Sequence, residues 1–163
     1  MDRLWSPWRL EYVAGGNNKA GCVFCDARRP PHPDSLIVFE GATSYVILNL
    51  YPYNNGHLMV VPYRHVPSLV GLTGEELAEV GALTQRAEAA LTEAYQPHGM
   101  NIGINLGKAA GAGVEQHVHV HVVPRWNGDT NFMTTVGNMR VLPENLGATA
   151  ARLRPVFQRL CRS

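Results

Sequence analysis

Three histidines alternate with valines over residues 117–123, where the sequence reads His-Val-His-Val-His-Val-Val. Successive side chains of a β-strand point to opposite faces, so this pattern predicts a strand that buries its alternate valines and lines up three imidazoles on its other face. Burying three imidazoles without a use for them would cost desolvation free energy, so we interpret the row as a chemical site. The candidate catalytic residues are His119, His121 and His117.

Such a row suits two kinds of site. The first is a metal site, since His-x-His is a familiar donor pair, but no carboxylate follows the row before Asp129. The second is nucleophilic catalysis, in which one imidazole attacks and its neighbours orient and protonate. Residues 107–113 read Gly-Lys-Ala-Ala-Gly-Ala-Gly, and glycine-rich backbone frees N–H groups for an anion such as phosphate. The combination favours attack on phosphorus.

The histidine row resembles the motif of the histidine triad superfamily of nucleotidyl hydrolases and transferases. Residues 49–62 (Asn-Leu-Tyr-Pro-Tyr-Asn-Asn-Gly-His-Leu-Met-Val-Val-Pro) and 101–107 (Asn-Ile-Gly-Ile-Asn-Leu-Gly) fit the same superfamily in the same order. Within this superfamily, residues 124–126 and 128–132 are most similar to the bacterial diadenosine tetraphosphate (Ap4A) phosphorylase branch. The resemblance extends over residues 35–142.

The resemblance implies a role for each histidine of the row. By its place in the motif, His119 is the nucleophile that attacks the α-phosphorus of a nucleotide and carries AMP as a phosphoramidate. A backbone carbonyl of the same strand is expected to hold its other nitrogen and so fix the tautomer. His121 is expected to bond the phosphate or the leaving-group oxygen and to supply a proton. His117 has the least direct chemical role.

The resemblance also implies neighbours of the nucleotide. Asn49 and His57 match positions that contact the ribose or border the nucleotide, and Asn105 matches a phosphate contact. For both asparagines, turn formation at a strand end is the alternative interpretation. Relatives often carry a hydroxyl in the loop before the triad, which residues 111–116 lack, so backbone N–H groups of residues 111–114 are expected to replace it. The candidates in this loop are Gly111, Gly113 and Gln116.

Cys22 and Cys25 have the two-residue gap of a metal knuckle or a redox pair. A closed zinc site needs two more donors, to be drawn from the histidines His32, His57, His65, His98 and His117. In several histidine triad relatives such a cysteine pair joins two histidines around structural zinc, and the matching positions here are His65 and His117. We predict structural zinc, with a vestigial thiol pair as the alternative. The strand-then-helix context of a redox pair is missing.

The composition limits the class of protein. A chain of 163 residues is long enough for one domain with a sizeable core. A net charge of +1 gives no reason to expect a nucleic-acid or anionic-membrane surface. No apolar run approaches the roughly 20 residues of a membrane span, and no signal peptide opens the chain. Three cysteines make no disulfide framework, so a reducing, cytoplasmic location is expected.

The remaining patterns predict an α+β fold. Strands are expected at residues 35–40, 43–49, 57–62, 100–106 and 117–123, and a short one at 132–136. Thr73 and Glu76 form a capping box, and Leu77, Val80, Leu83, Ala87 and Leu91 follow with helical spacing to about Tyr95. Residues 143–162 are helical in composition, although Pro155 is expected to break or kink that helix.

These elements predict an antiparallel sheet of about five strands with one long helix and a C-terminal helix. We expect a single histidine triad domain over residues 1–163, divided into an N-terminal arm with the cysteine pair (1–34), the core (35–142) and the C-terminal helix (143–163). The order of the elements is consistent with the fold that the resemblance implies.

The predicted function is a homodimeric enzyme that cleaves a dinucleoside polyphosphate through AMP-His119. Inorganic phosphate is the favoured acceptor, with Arg125 or Lys108 supplying charge for it, as in an Ap4A phosphorylase or ATP adenylyltransferase. The first alternative is a hydrolase of Ap4A or of other adenylylated compounds that releases AMP. A nucleotide-binding regulatory protein and a zinc hydrolase with metal at the three histidines of the row are alternatives from other classes.

Overall fold

The structure is a computed structural model and describes residues 21–29, 35–129 and 144–161. Its strands are β1 Ile37–Glu40, β2 Ser44–Leu48, β3 Leu58–Pro62, β4 Gly99–Ile104 and β5 Val120–Arg125. Its helices are α1 Val23–Asp26, α2 Gly74–Tyr95 and α3 Leu146–Leu160, with 3₁₀ turns at Leu69–Gly71 and Lys108–Ala110. Each strand and helix that was predicted inside these ranges is present, with its ends shifted by a few residues.

The strands form one antiparallel sheet in the order β1-β2-β3-β5-β4. Glu79 of α2 stabilises the turn of the β1–β2 hairpin. Its carboxylate accepts hydrogen bonds from the N–H groups of Ala42 and Thr43 at 2.7 and 2.5 Å. Strand β5 pairs with β3 on one side and β4 on the other, so the strand of the histidine row is interior to the sheet. The α+β prediction is confirmed.

Helices α2 and α3 cover one face of the sheet and enclose the main core. The capping box is formed: the Thr73 side chain accepts the N–H of Glu76, and the Glu76 carboxylate accepts the N–H of Thr73. The buried stripe of α2 includes the predicted Val80, Leu83, Ala87 and Leu91. Leu77 was wrongly placed in that stripe and is 48% exposed, because Glu76 occupies the inward side of the first turn, where Arg64 binds it.

Helix α3 continues through Pro155. The prediction that Pro155 breaks this helix is therefore wrong, and the alternative that it kinks the helix stays a prediction. Proline removes one intrahelical hydrogen bond and costs about 3 kcal/mol in a helix interior. Pro155 lies on the exposed side of α3, while Leu153 and Phe157 are fully buried against the sheet and α2. Burial of the apolar face offsets that cost.

The histidine strand begins later than predicted. Residues 117–119 lie outside β5, which starts at Val120 and extends two residues past the predicted end, to Arg125. The pairing with β3 and with β4 begins at Val120, whereas the N–H of Val118 donates to the carbonyl of Val66 at 2.7 Å. The start of the row is thus hydrogen-bonded, at Val118, to the segment that follows β3 and not to a neighbouring strand.

Two predictions lie wholly or partly outside the described residues: the strand at 132–136, and the N-terminal arm at residues 1–20 and 30–34. Across the three described ranges, no helix has both the length and the apolar character that crossing a bilayer requires.

Candidate active site and metal centre

The sheet separates the valines of the triad from its histidines. Val120 and Val122 belong to the main core under α2 and α3. The opposite face carries a smaller apolar cluster of Phe24, Tyr45, Ile47, Met59 and Val61. Beside this cluster, His117 and His119 are buried and His121 is half-buried, as the alternation predicts.

The ring of His119 is held in one tautomer. Its Nδ1 lies 2.9 Å from the carbonyl oxygen of His117, and because a carbonyl only accepts, Nδ1 carries the proton. Burial lowers the pKa of His119, so the ring is neutral at pH 7 and its lone pair lies on Nε2. This arrangement leaves Nε2 as the nucleophilic nitrogen.

His57 fixes the tautomer of His121 in turn. The N–H of Tyr53 donates to Nδ1 of His57 at 3.1 Å, and burial, with lesser contributions from His121 and His119, lowers the pKa of His57 to about 3. The neutral ring therefore carries its proton on Nε2, which lies 2.9 Å from Nδ1 of His121 and donates to it. A neutral His121 must then be protonated on Nε2, the form that can donate a hydrogen bond to a leaving-group oxygen.

The loop between β2 and β3 folds around His57. The N–H of Asn49 donates to the carbonyl of His57 at 2.9 Å, and the N–H of His57 donates to the carbonyl of Asn54 at 3.2 Å. Asn49 also accepts the N–H of Tyr51 through Oδ1 at 2.9 Å, and its Nδ2 lies 3.3 Å from Nδ1 of His57. Asn49 thus forms the turn that was the alternative interpretation, and its contact with a nucleotide stays a prediction.

The loop before the triad is a compact turn. Gly107 and Gly111 have φ of +75° and +86°, the left-handed region that glycine tolerates, at the two ends of the 3₁₀ turn. The N–H groups of Gly111 and Ala112 donate within the turn, to the carbonyls of Lys108 and Gly107. These two N–H groups are thus engaged within the turn, and a contact of this loop with phosphate stays a prediction. Asn105 follows β4 directly, at the level where Ile104 pairs with Val120.

Arg125 is committed to an ion pair. Its guanidinium donates to both carboxylate oxygens of Asp129, at 2.7 and 2.8 Å, and to Oδ1 of Asn101 at 2.8 Å. Asp129 also accepts from Nδ2 of Asn54, which joins the end of β5 to the loop around His57. The charge of Arg125 is thus neutralised by Asp129, which leaves Lys108 as the better of the two predicted sources of charge.

A second cluster, behind His117, could hold a metal ion. Its four donor residues are Cys22, Cys25, His65 and His117, whose ligand atoms lie within 4.8 Å of one another. Nδ1 of His117 is 3.3 Å from Sγ of Cys22, and Nδ1 of His65 is 3.5 Å from Sγ of Cys25. Tetrahedral zinc with its usual bond lengths needs sulfur and nitrogen donors about 3.5 Å apart, so the cluster fits that geometry.

His117 is already in the tautomer of a ligand. Its Nε2 lies 2.8 Å from the carbonyl of Pro62 and must donate, so the unprotonated Nδ1 faces the cysteines. Both nitrogens are therefore engaged away from His119 and His121. This geometry disfavours a metal shared by the three histidines of the row.

Comparisons with known proteins agree with this geometry. The HIT domain model matches residues 31–128. The chain belongs to the HIT family. It is 43% identical over 167 residues to "AP-4-A phosphorylase" of Mycobacterium tuberculosis, covering 98% of this chain and 86% of that protein. It is 38% identical over 130 residues to "Bis(5'-adenosyl)-triphosphatase" of Dictyostelium discoideum, covering 76% and 87%.

A solved HIT structure also matches. It is a Zn-bound histidine triad family protein from Mycobacterium smegmatis, with a TM-score of 0.68 and 32% identity, covering 87% of this chain and 96% of that one. Like this chain, it belongs to the histidine triad proteins, so the family assignment rests on fold as well as on sequence.

Sequence reasoning missed two residues of this HIT site, Phe24 and Tyr53. Phe24 packs against His119 with ring centroids 4.7 Å apart, and Tyr53 packs against His57 at 4.7 Å and His121 at 5.9 Å. A large apolar residue inside the Cys-x-x-Cys pair is a signal that could have indicated the contact between Phe24 and His119. The hydrogen bond from the backbone N–H of Tyr53 to His57 could not be predicted from residue types, because any residue other than proline offers the same N–H.

Proposed function

We propose that this HIT protein cleaves Ap4A or a related dinucleoside polyphosphate by transferring AMP to His119. The hydrogen bond from Nδ1 of His119 to the carbonyl of His117 carries the proposal, because it leaves the lone pair of a neutral imidazole on Nε2. The 43% identity to a protein named AP-4-A phosphorylase supports this choice of substrate.

The chain's own residues provide a two-step reaction. Nε2 of His119 attacks an α-phosphorus, the N–P bond forms, and the P–O bond to the rest of the substrate breaks. The N–H at Nε2 of His121 donates a hydrogen bond to the departing oxygen, which leaves as the terminal phosphate anion of ATP, so Ap4A gives ATP and AMP-His119. Inorganic phosphate then attacks the same phosphorus and releases ADP, whereas water would release AMP.

Further residues are proposed as neighbours of the nucleotide. They are Asn49, His57, Asn105, Gly111, Gly113 and Gln116. His57 acts through His121, since it is fully buried and donates to that ring. Lys108, exposed in the 3₁₀ turn, is the proposed charge for inorganic phosphate, because Arg125 is paired with Asp129.

We propose that the cluster of Cys22, Cys25, His65 and His117 holds zinc, which would supply structural cross-linking and take no part in the reaction. The Zn-bound relative supports the choice of metal. Cysteines serve as ligands only as thiolates, so a reducing cytoplasm is the proposed location. Cell fractionation that found the chain in an oxidising compartment would contradict the proposed location.

We propose that the chain forms a homodimer. Among the described residues, strand β4 is an outer strand of the sheet and its Ile102 is 45% exposed, so β4 offers both backbone groups and an apolar side chain to a second copy. Sedimentation equilibrium should give twice the mass of the chain, and Ile102→Lys should shift the equilibrium to monomer. A monomeric wild-type protein at micromolar concentration would refute the dimer.

Product analysis tests the proposed reaction. With labelled Ap4A and millimolar phosphate, the expected products are ATP and ADP, and the share of ADP should rise with phosphate concentration. A constant yield of ATP and AMP at every phosphate concentration would assign the chain to the hydrolases. Tight nucleotide binding without turnover would instead favour a regulatory protein.

A further inference from the structure

Phe24 connects the cysteine pair to the proposed nucleophile. It lies between Cys22 and Cys25 and is the buried side chain of α1. Its ring centroid is 4.7 Å from that of His119 and 5.5 Å from that of His117, at interplanar angles of 51° and 75°. One side chain therefore contacts both the catalytic ring and a proposed metal ligand.

The backbone of Phe24 is also fixed. Its carbonyl accepts the hydroxyl of Tyr45 at 2.7 Å, and Tyr45 is a fully buried residue of β2. The position of the Phe24 ring is thus set from two directions, by the cysteines on either side of it in the chain and by a strand of the sheet.

We propose that Phe24 is a positioning residue that holds the ring of His119 in its reactive orientation. The bond from Nδ1 to the carbonyl of His117 fixes the tautomer and one edge of the ring, but a ring held at one edge can still swing at the edge that carries Nε2. Phe24 and His121, whose ring centroid is 4.8 Å away, both contact His119 and limit that swing.

This role rests on the proposed function, since it takes His119 as the nucleophile. In-line attack requires the nitrogen and the phosphorus in close alignment, and a displacement of about 1 Å can cost roughly 10²-fold in rate. An ordered Cys22–Cys25 turn would therefore affect the rate of AMP transfer by fixing Phe24 against His119. The metal itself would not contact the substrate.

The test compares three variants of the full-length, zinc-loaded protein. Phe24→Leu removes the ring but keeps an apolar side chain. Tyr45→Phe removes only the hydroxyl that holds the Phe24 carbonyl. Phe39→Leu is the matched control, because Phe39 stacks on Phe157 in the main core.

The expected result has two parts. In single-turnover experiments, Phe24→Leu should slow formation of AMP-His119 about 10- to 100-fold with KM nearly unchanged, Tyr45→Phe should slow it less, and Phe39→Leu should leave it unaltered. In NMR spectra, the Nδ1–H resonance of His119 should be sharp in wild type and in the control but broadened in Phe24→Leu. Zinc content should be the same in all three variants.

Three outcomes would overturn the proposal. A raised KM with an unaltered transfer rate would make Phe24 a nucleotide contact, and an equal loss in Phe39→Leu would reduce its role to general packing. If Phe24→Leu does not fold, an unaltered rate and an unaltered resonance in Tyr45→Phe would refute the proposal. Absence of AMP-His119 in wild type would refute the proposed function instead, and the NMR comparison would still decide the role of Phe24.

Discussion

His119→Ala is expected to lower the rate of Ap4A cleavage by at least about 10³-fold, because the variant lacks the atom that bonds to phosphorus. The fold and the binding of AMP should be retained, since alanine introduces no clash, although the cavity beside Phe24 should lower the melting temperature. The measurement is the steady-state rate together with protein that carries labelled AMP, trapped by a rapid alkaline denaturing quench because the N–P bond of a phosphoramidate is labile in acid. Wild type should show label on His119, and the variant should show none.

His98→Ala is the matched control for this loss. His98 is exposed and accepts the N–H of Asn127 at 2.9 Å, away from the row. It should keep full activity. His121→Ala should retain more activity than His119→Ala, because it removes a hydrogen-bond donor and leaves the nucleophile. Activity of His119→Ala within tenfold of wild type would reject the assignment of the nucleophile.

Cys22→Ser is expected to lose the metal and much of the stability that the metal adds. Purified wild type should contain about one zinc per chain. In small zinc domains, the apparent zinc-binding free energy of about 10–16 kcal/mol contributes directly to the free energy of folding. This chain also has a main core away from the cluster, so loss of zinc is expected to lower the free energy of unfolding by only a few kcal/mol. For a chain of this size, about 3 kcal/mol lowers the melting temperature by roughly 6–12 °C.

Cys161→Ser provides the matched comparison for the metal. Cys161 is also a thiol, but it caps the end of α3 and lies outside the metal cluster. Its substitution should leave both the zinc content and the melting temperature near wild-type values. A metal-free wild type, or an unchanged melting temperature in Cys22→Ser, would refute the proposal of structural zinc.

Much of the fold followed from local patterns. The alternation at residues 117–123 predicted correctly that Val120 and Val122 of β5 enter the main core while His121 lies on the opposite face, because successive side chains of a strand alternate. The capping box marked the start of α2 because it satisfies N–H groups within four residues. The order of the strands in the sheet was not predicted, and the metal cluster came from the family resemblance, since neither the pairing nor the meeting of Cys22 with His117 is encoded in sequence spacing.

What sequence could not provide is the direction of each hydrogen bond. The protonation of His121 depends on Tyr53 donating to His57, which is a backbone bond inside a folded loop. The pairing of Arg125 with Asp129 was likewise invisible, although a turn brings these residues together. The errors at Pro155 and Leu77 have the same origin, because burial by neighbouring elements overrode the local pattern.

The metal cluster also bears on the order in which the chain assembles. Its donors are 40 residues apart for Cys25 and His65 and 92 for Cys25 and His117. The two histidines come together when β3 and β5 pair, and their rings are 5.1 Å apart. Because loop-closure entropy grows only by about 0.6 kcal/mol per doubling of length, the remote cysteines can join afterwards at little extra cost. Two of the four donors are thus brought together by pairing within the sheet itself, so binding of the proposed zinc is expected to be a late folding step that the sheet does not need.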